Sequence, residues 1–271
     1  MSVADALRDA TVSLSTISDT PRLDAELLMA HALGIGRNDL LLRQRDLSVP
    51  VTFAVHLQQR LAGAPIAHIL GSRDFWTISL AVTPDVLIPR PDSETLIEAA
   101  VDHFAGRAPQ RILDLGTGPG TLLLAALDEW PQATGLGVDA SEVALDYALR
   151  NGAALGMAQR VAWRQGDWTA GIDGRFDLIL ANPPYIGTDE PLPREVVGHE
   201  PAAALFAGRD GLDDYRRIVP ELRRLLAPDG IAAIEIGYEQ GDAVMALVRA
   251  AGLPARLVRD LGDRPRCVIT G

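Results

Sequence analysis

From Arg111 to the C-terminus, short apolar runs alternate with longer stretches of helical periodicity, and this restricts the chain more than any other feature. The strand candidates are 111–115, 134–139, 161–165, 176–181, 231–236, 255–260 and 265–270. Helical stretches lie near 119–130, 141–155, 212–227 and 239–251. A strand that returns parallel to its predecessor needs a crossover of about a dozen residues, which a helix supplies, so alternation at this spacing predicts an α/β doubly wound sheet. The last two candidates are separated only by Leu261-Gly262-Asp263-Arg264. That gap is too short for a crossover, so these two strands are expected to pair antiparallel.

The first 70 residues read differently. Ser2 is placed to cap a helix through Leu14, a second is expected from Asp24 to Leu33, Asn38 is expected to cap a short third, and a fourth begins at Pro50 and runs to about Ala62. Leu23, Leu27, Leu28 and Ala32 recur at helical spacing. Such a small bundle suits docking better than chemistry. Residues 71–90 read as a linker carrying a β-hairpin through Asp74-Phe75-Trp76 and Ile78-Ser79-Leu80-Ala81-Val82. Leu87-Ile88-Pro89-Arg90-Pro91-Asp92-Ser93-Glu94 follows. Its prolines exclude helix before Pro91, Asp92 is the expected N-cap, and a helix then runs to about Phe104. The expected organisation is therefore a helical domain over 1–70, a linker over 71–90 and an α/β domain over 91–271.

Four motifs sit at strand ends of the α/β part. Asp114-Leu115-Gly116-Thr117-Gly118-Pro119-Gly120 follows an apolar strand and opens a helix. Glycines there let a ligand approach the backbone in front of a helix N-terminus. Asp139 ends the next strand, where a carboxylate can accept both hydroxyls of a ribose. Nicotinamide folds share these two features, but the turn reads G-T-G-P-G in place of G-x-G-x-x-G, and Asp114 directly precedes it, near the place for a methyl donor's amino-acid end. Gly166-Asp167-Trp168 follows the third strand; Asp167 can accept from an adenine amino group or cap a turn, and Trp168 can lie against the ring or pack in the core.

Asn182-Pro183-Pro184-Tyr185, after the apolar run Phe176–Ala181, carries the chemistry. A planar amide or aryl amine is a poor nucleophile because its lone pair is delocalised. The Asn182 side-chain oxygen and the Pro183 carbonyl can each accept one N–H of an NH2 group, which holds the nitrogen and aims its lone pair at an activated methyl. Two prolines stiffen the loop, and Tyr185 can cover the planar substrate. No general base is needed, since the proton can leave after transfer.

Composition narrows the field. The formal net charge is −11, and all 25 basic residues are arginine. That balance argues against a large nucleic-acid footprint, which needs a basic face. No apolar run reaches the roughly 18 residues of a membrane span, and the N-terminus lacks a leader pattern, so a cytoplasmic location is the default expectation. Cys267 is the only cysteine, and His31, His56, His68, His103 and His199 show no ligand spacing, so no metal is expected.

Together these residues resemble the release-factor glutamine N5-methyltransferases, the HemK/PrmC family. The resemblance spans nearly the whole chain. It takes in Gly63–Gly71, Arg73-Asp74-Phe75-Trp76, Leu87–Glu94, the glycine turn and Asn182–Ile186, then Glu200-Pro201, Gly208–Leu212 and Glu235-Ile236-Gly237. It implies a class I methyltransferase-like seven-stranded sheet with a small helical N-terminal domain that helps grip the substrate protein. It implies S-adenosyl-L-methionine as methyl donor and, as substrate, the glutamine of a Gly-Gly-Gln loop in peptide chain release factors. By position, Gly116, Thr117, Gly118, Pro119, Gly120, Asp139, Trp168 and Asn182 would contact the cofactor. Asn182, Pro183, Pro184 and Tyr185 would hold the glutamine, with Arg90 bordering the pocket. The chain departs from the family pattern in having Ser93 where threonine is frequent and Pro119 where Thr, Ser or Ala is usual. A ribosomal-protein glutamine methyltransferase would share this pocket. An adenine-N6 nucleic-acid methyltransferase would share the Asn-Pro-Pro-Tyr loop but needs a basic target-recognition region. A nicotinamide oxidoreductase leaves that loop unexplained, and a non-catalytic cofactor-binding module does not need it.

Overall fold

The computed structural model describes residues 2–190 and 200–271. These form two compact units, one ending at Ser72 and the other starting at Arg73.

The first unit holds five helices among the described residues: α1 (Val3–Leu14), α2 (Pro21–Leu33), α3 (Arg37–Arg43), α4 (Val51–Leu61) and α5 (Ile66–Leu70). Ser2 caps α1 through a capping box with Asp5. Helix α2 starts three residues before the position expected from sequence, because Pro21 has the fixed φ of a first helical residue. Asn38 does not cap α3; Gly36 holds the N-cap position and Asn38 lies within the helix. Leu7, Leu14, Leu28, Met29, Leu40 and Phe53 make the core. A buried ion pair, Arg60 Nε to Asp24 Oδ2 at 2.9 Å, ties α4 to α2.

The second unit begins with the hairpin of β1 (Ser72–Phe75) and β2 (Ile78–Ala81). Next come α6 (Glu94–His103), β3 (Arg111–Leu115), α7 (Thr121–Glu129), β4 (Thr134–Asp139) and α8 (Glu142–Ala154). The chain continues with β5 (Val161–Gln165), β6 (Phe176–Ala181), α9 (Asp213–Leu225), β7 (Leu226–Glu235), α10 (Gly241–Ala250), β8 (Arg256–Arg259) and β9 (Pro265–Thr270). Asp92 is not the N-cap of α6. A 3₁₀ turn over Pro91–Ser93 precedes the helix, and Asp92 instead pairs with Arg266 at 2.9 Å.

Among the described residues, seven strands form one sheet in the order β5-β4-β3-β6-β7-β9-β8. The first five run parallel, while β9 is antiparallel to both β7 and β8. This is the class I methyltransferase-like doubly wound arrangement with its C-terminal antiparallel hairpin. Strand β7 starts at Leu226, before the expected 231, because Leu226 already pairs with Phe176 across an irregular register.

Successive strand residues face opposite sides. Ile112, Leu178 and Leu180 join one apolar layer with Leu96 and Leu123, whereas Leu113, Ile179 and Ala181 join the other with Ile218 and Leu222. On α9, Tyr215, Ile218, Val219, Leu222 and Leu225 lie on one helical stripe, all buried. Chain order reverses between β3 and β6, which opens a crevice at the carboxyl ends of the strands. Leu222→Ala, in the fully buried stripe, should lower stability by about 2–5 kcal/mol in urea unfolding; a loss below about 1 kcal/mol would show that α9 is not packed as described.

Candidate active site

The crevice is a cavity of ≈ 500 Å³, within the usual range for small-molecule sites. Its floor is the turn after β3. Gly116 and Gly118 have φ of +70° and +56°, a region open to glycine at little cost. The Gly116 and Thr117 amides both donate to the Val138 carbonyl, at 2.8 and 3.0 Å, so the turn is anchored on β4.

Asp114 stands at the turn's entrance, 1% exposed. Its Oδ2 accepts from the Thr117 hydroxyl at 2.6 Å, while its Oδ1 is buried without a partner. Burial pushes this carboxyl up to about 7; the Thr117 hydroxyl and the Leu123 backbone amide oppose the rise by hydrogen bonding, and the nearby Asp139 charge adds to it. A buried carboxyl on a residue that lines the cavity suits a cationic amine.

Asp139 accepts from the Gly118 amide (Oδ2, 2.8 Å) and the Ser141 amide (Oδ1, 2.8 Å). Each oxygen has a second lone pair for a hydroxyl donor. The carboxylate is thus fixed in place while keeping acceptor capacity toward the cavity that it lines.

Across the cavity, Trp168 has φ +50°, a costly conformation for a bulky residue. Its Nε1 donates to Asp214 Oδ1 at 2.9 Å. Its ring lies where a Cβ on Gly116 would come within 2.9 Å, so Gly116 leaves room for the indole. Asp167 is ion-paired with Arg217, which also reaches Asp214 at 3.6 Å.

Asn182 follows the last residue of β6 and lines the same cavity. Its Nδ2 donates to the Ser93 hydroxyl at 3.2 Å. No donor among the described residues reaches its Oδ1 or the Pro183 carbonyl. Gln240 braces the loop from behind: its Nε2 donates to the Tyr185 carbonyl at 2.8 Å and its Oε1 accepts from the Gly237 amide at 3.0 Å. Burial, with the Glu235 charge next, pushes the Tyr185 phenol up to about 12, so it stays neutral at physiological pH.

The crevice therefore brings together Arg90, Gly116, Thr117, Gly118, Pro119, Asp139, Asp167, Trp168, Asn182 and Pro184. Gly120, Pro183 and Tyr185 are not on its wall. Gly120 supports the turn from behind: a Cβ there would lie 2.8 Å from Leu124 Cδ1, and its φ is +89°. Arg90 lines the cavity while bound to the buried carboxylate of Glu200.

Sequence reading missed Asn151. This buried side chain on α8 donates to the Pro119 carbonyl at 2.9 Å and to the Ala81 carbonyl at 3.2 Å, and accepts from the Ala81 amide at 2.8 Å. It pins the glycine turn to β2, and only its helical position, without a partner in sequence, hinted at it. No group of His, Cys, Asp or Glu among the described residues could hold a metal; His199 lies outside them. No helix among the described residues is long and apolar enough to cross a membrane.

Known proteins resemble the chain in both units. Residues 5–71 match the family described as the PrmC N-terminal domain, and residues 108–253 match a methyltransferase domain family. A release factor glutamine methyltransferase of Caulobacter vibrioides is 43% identical over 272 residues, covering 98% of this chain and 92% of the relative. One from Cereibacter sphaeroides is 44% identical over 276 residues, covering 99% and 98%. Among solved structures, the hMettl16 catalytic domain in complex with an RNA hairpin aligns with a TM-score of 0.58, 15% identity and 81% coverage of each chain. A methyltransferase from Pyrococcus furiosus aligns with a TM-score of 0.54, 18% identity and coverage of 70% and 87%. At these identities the structural matches speak to the fold.

The buried Asp114 sets a pH dependence. Its folded pKa lies above its ordinary value, so the stability it contributes is present below that ordinary value and is lost as pH rises through about 7. The ligand-free chain should lose on the order of 4 kcal/mol from this group between acid and mildly alkaline pH, given a carboxyl moved from 3.8 to about 7. Urea midpoints at pH 5 and 8 should draw together in Asp114→Asn; an unchanged gap would remove this assignment.

Proposed function

The chain belongs to the release factor glutamine methyltransferase family, and from that premise we propose that it methylates the side-chain amide nitrogen, N5, of the glutamine in the Gly-Gly-Gln motif of peptide chain release factors. The observation that carries this reading is the shared wall of one cavity: the Asn182 side chain faces the space that Asp114, the glycine turn and Asp139 enclose.

S-adenosyl-L-methionine, when bound, supplies an electrophilic methyl group. The residues present suit it. The Asp114 carboxyl matches an ammonium, Asp139 has lone pairs left for ribose hydroxyls, and the Trp168 indole stands by for an aromatic ring. Asp167 is committed to Arg217, so an adenine amino group would share its carboxylate with that ion pair.

The chain's own work is to hold an amide nitrogen. Asn182 Oδ1 accepts one N–H and the Pro183 carbonyl accepts the other, which fixes the nitrogen with its lone pair toward the cofactor side. Pro184, on the cavity wall, limits the flat amide's freedom, and the Gln240 brace on the Tyr185 carbonyl keeps the loop from yielding. As the nitrogen gains positive charge, both acceptors bind its hydrogens more strongly, so they favour the transition state over the ground state.

The helical unit serves substrate docking in this reading. Val51 and Val55, one turn apart on α4, are 87% and 56% exposed, and Leu42 on α3 is 85% exposed. Exposed side chains of this size suit an apolar patch on a partner protein. Val51→Ser with Val55→Ser should raise KM for the release factor about tenfold, equivalent to about 1.4 kcal/mol, with kcat unchanged; an unchanged KM would place docking elsewhere.

The reading is tested with labelled methyl donor and, separately, a release factor, its Gln-to-Ala variant, ribosomes and DNA. Label is expected on the release factor and should vanish with the Gln-to-Ala change; label on ribosomes or DNA alone would overturn the assignment. Asn182→Ala should cost about 2–4 kcal/mol in the transition state. Near-normal turnover in that variant would contradict the role given to Asn182.

A further inference from the structure

Glu235 is buried, 1% exposed at the end of β7, and it is not part of the cavity wall. The parallel register pairs Ala181 with Ile234, so Asn182 and Glu235 are the next residues on adjacent strands. Ser93, 2% exposed, stands between them. Its hydroxyl accepts from Asn182 Nδ2 at 3.2 Å and lies close enough to the Glu235 carboxyl to hold that group's pKa down. The Tyr215 phenol donates to the Glu235 backbone carbonyl at 2.9 Å, which holds the strand end in place. Glu235 Oε2 has no partner among the described residues. Burial pushes the Glu235 carboxyl up to about 7, opposed by the Ser93 hydrogen bond and the Arg266 charge, so at mildly alkaline pH it is ionised.

We propose that Glu235 is a positioning residue which, through the Ser93 hydroxyl, sets which end of the Asn182 side-chain amide faces the substrate. This rests on the function proposed above. A side-chain amide has a donor end and an acceptor end of nearly the same shape, and packing alone barely distinguishes them. A carboxylate can only accept. Facing one, Ser93 must spend its single proton on Glu235, and toward Asn182 it can then only accept. Asn182 answers with Nδ2, which leaves Oδ1 toward the cavity. Turned over, Asn182 would present N–H to the substrate's own N–H, and the nitrogen would lose one of its two acceptors.

The direction of this chain is testable by reversing it, with all assays at mildly alkaline pH. In Asn182→Asp, two carboxylates compete for the one Ser93 proton, and kcat on the release factor should fall about a hundredfold. In Glu235→Gln, the amide can either accept or donate, so Asn182 loses its fixed orientation and kcat should fall about threefold to tenfold. The double variant restores order with every bond turned round. The new amide at position 235 donates to Ser93, and Ser93 donates to the new carboxylate at position 182, whose second oxygen still faces the cavity. Its kcat should exceed that of Asn182→Asp by about tenfold or more, with methyl-donor affinity by calorimetry within about twofold of wild type. A purely structural Glu235 would make the two losses multiply, and that outcome would overturn the inference.

Should Asn182→Asp fail to fold, a second comparison decides. Ser93→Ala should lower kcat about tenfold while Ser93→Thr, which keeps the hydroxyl, stays within about threefold of wild type. Equal activity of the two variants would equally overturn the inference. Wild type is assayed in parallel on the same release factor. If it transfers no label, the proposed function itself fails; if it labels the glutamine and the double variant shows no recovery, only the role of Glu235 falls.

Discussion

The hydrogen bond from Asn182 to Ser93 decides what the crevice can do. A loop after a strand end is free to present either donors or acceptors. Here one end of an amide is claimed by a buried hydroxyl, so the other is left as an acceptor at the cavity. That contact exists because three distant segments converge: the 3₁₀ turn before α6 brings Ser93, β6 ends at Ala181, and β7 ends at Glu235 beside it. The parallel pairing of β6 with β7 sets the register.

The rest of the site is built on the same economy. Each functional group is held in place by the protein and keeps a further capacity open. Asp139 is fixed by two backbone amides and retains a lone pair on each oxygen. Asp114 is tied to Thr117 by one oxygen, and its full burial drives its pKa upward. Trp168 has an unfavourable backbone conformation, and its indole is fixed by Asp214. Such groups are pre-organised, so they need little rearrangement when a charged or polar partner arrives.

Much of this was legible in the sequence, and the limits have physical causes. The strand limits of β3 and β6 followed from apolar runs, since a strand buried on both faces has no polar alternation to blur its ends, whereas β5 is a half-exposed edge strand. The glycine turn and the Asn-Pro-Pro-Tyr loop were visible because their backbone demands restrict residue choice locally. Asn151, Gln240 and Glu235 were not visible as site residues. Each acts on a loop 29 or more positions away in sequence, and such contacts leave no periodic trace. Asp92 looked like a helix cap for the same reason: local preference pointed to a cap, and an arginine 174 positions onward took the carboxylate. The early start of β7 reflects an irregular register with β6 that no local pattern encodes.

The orientation of the Asn182 amide is tested most directly by a crystal structure of the chain with demethylated donor and a Gly-Gly-Gln peptide. Asn182 Oδ1 and the Pro183 carbonyl should each lie within about 2.7–3.2 Å of the glutamine amide nitrogen, with Asn182 Nδ2 still on Ser93. A glutamine amide bound elsewhere in the crevice, or an Asn182 side chain turned away from it, would contradict the account.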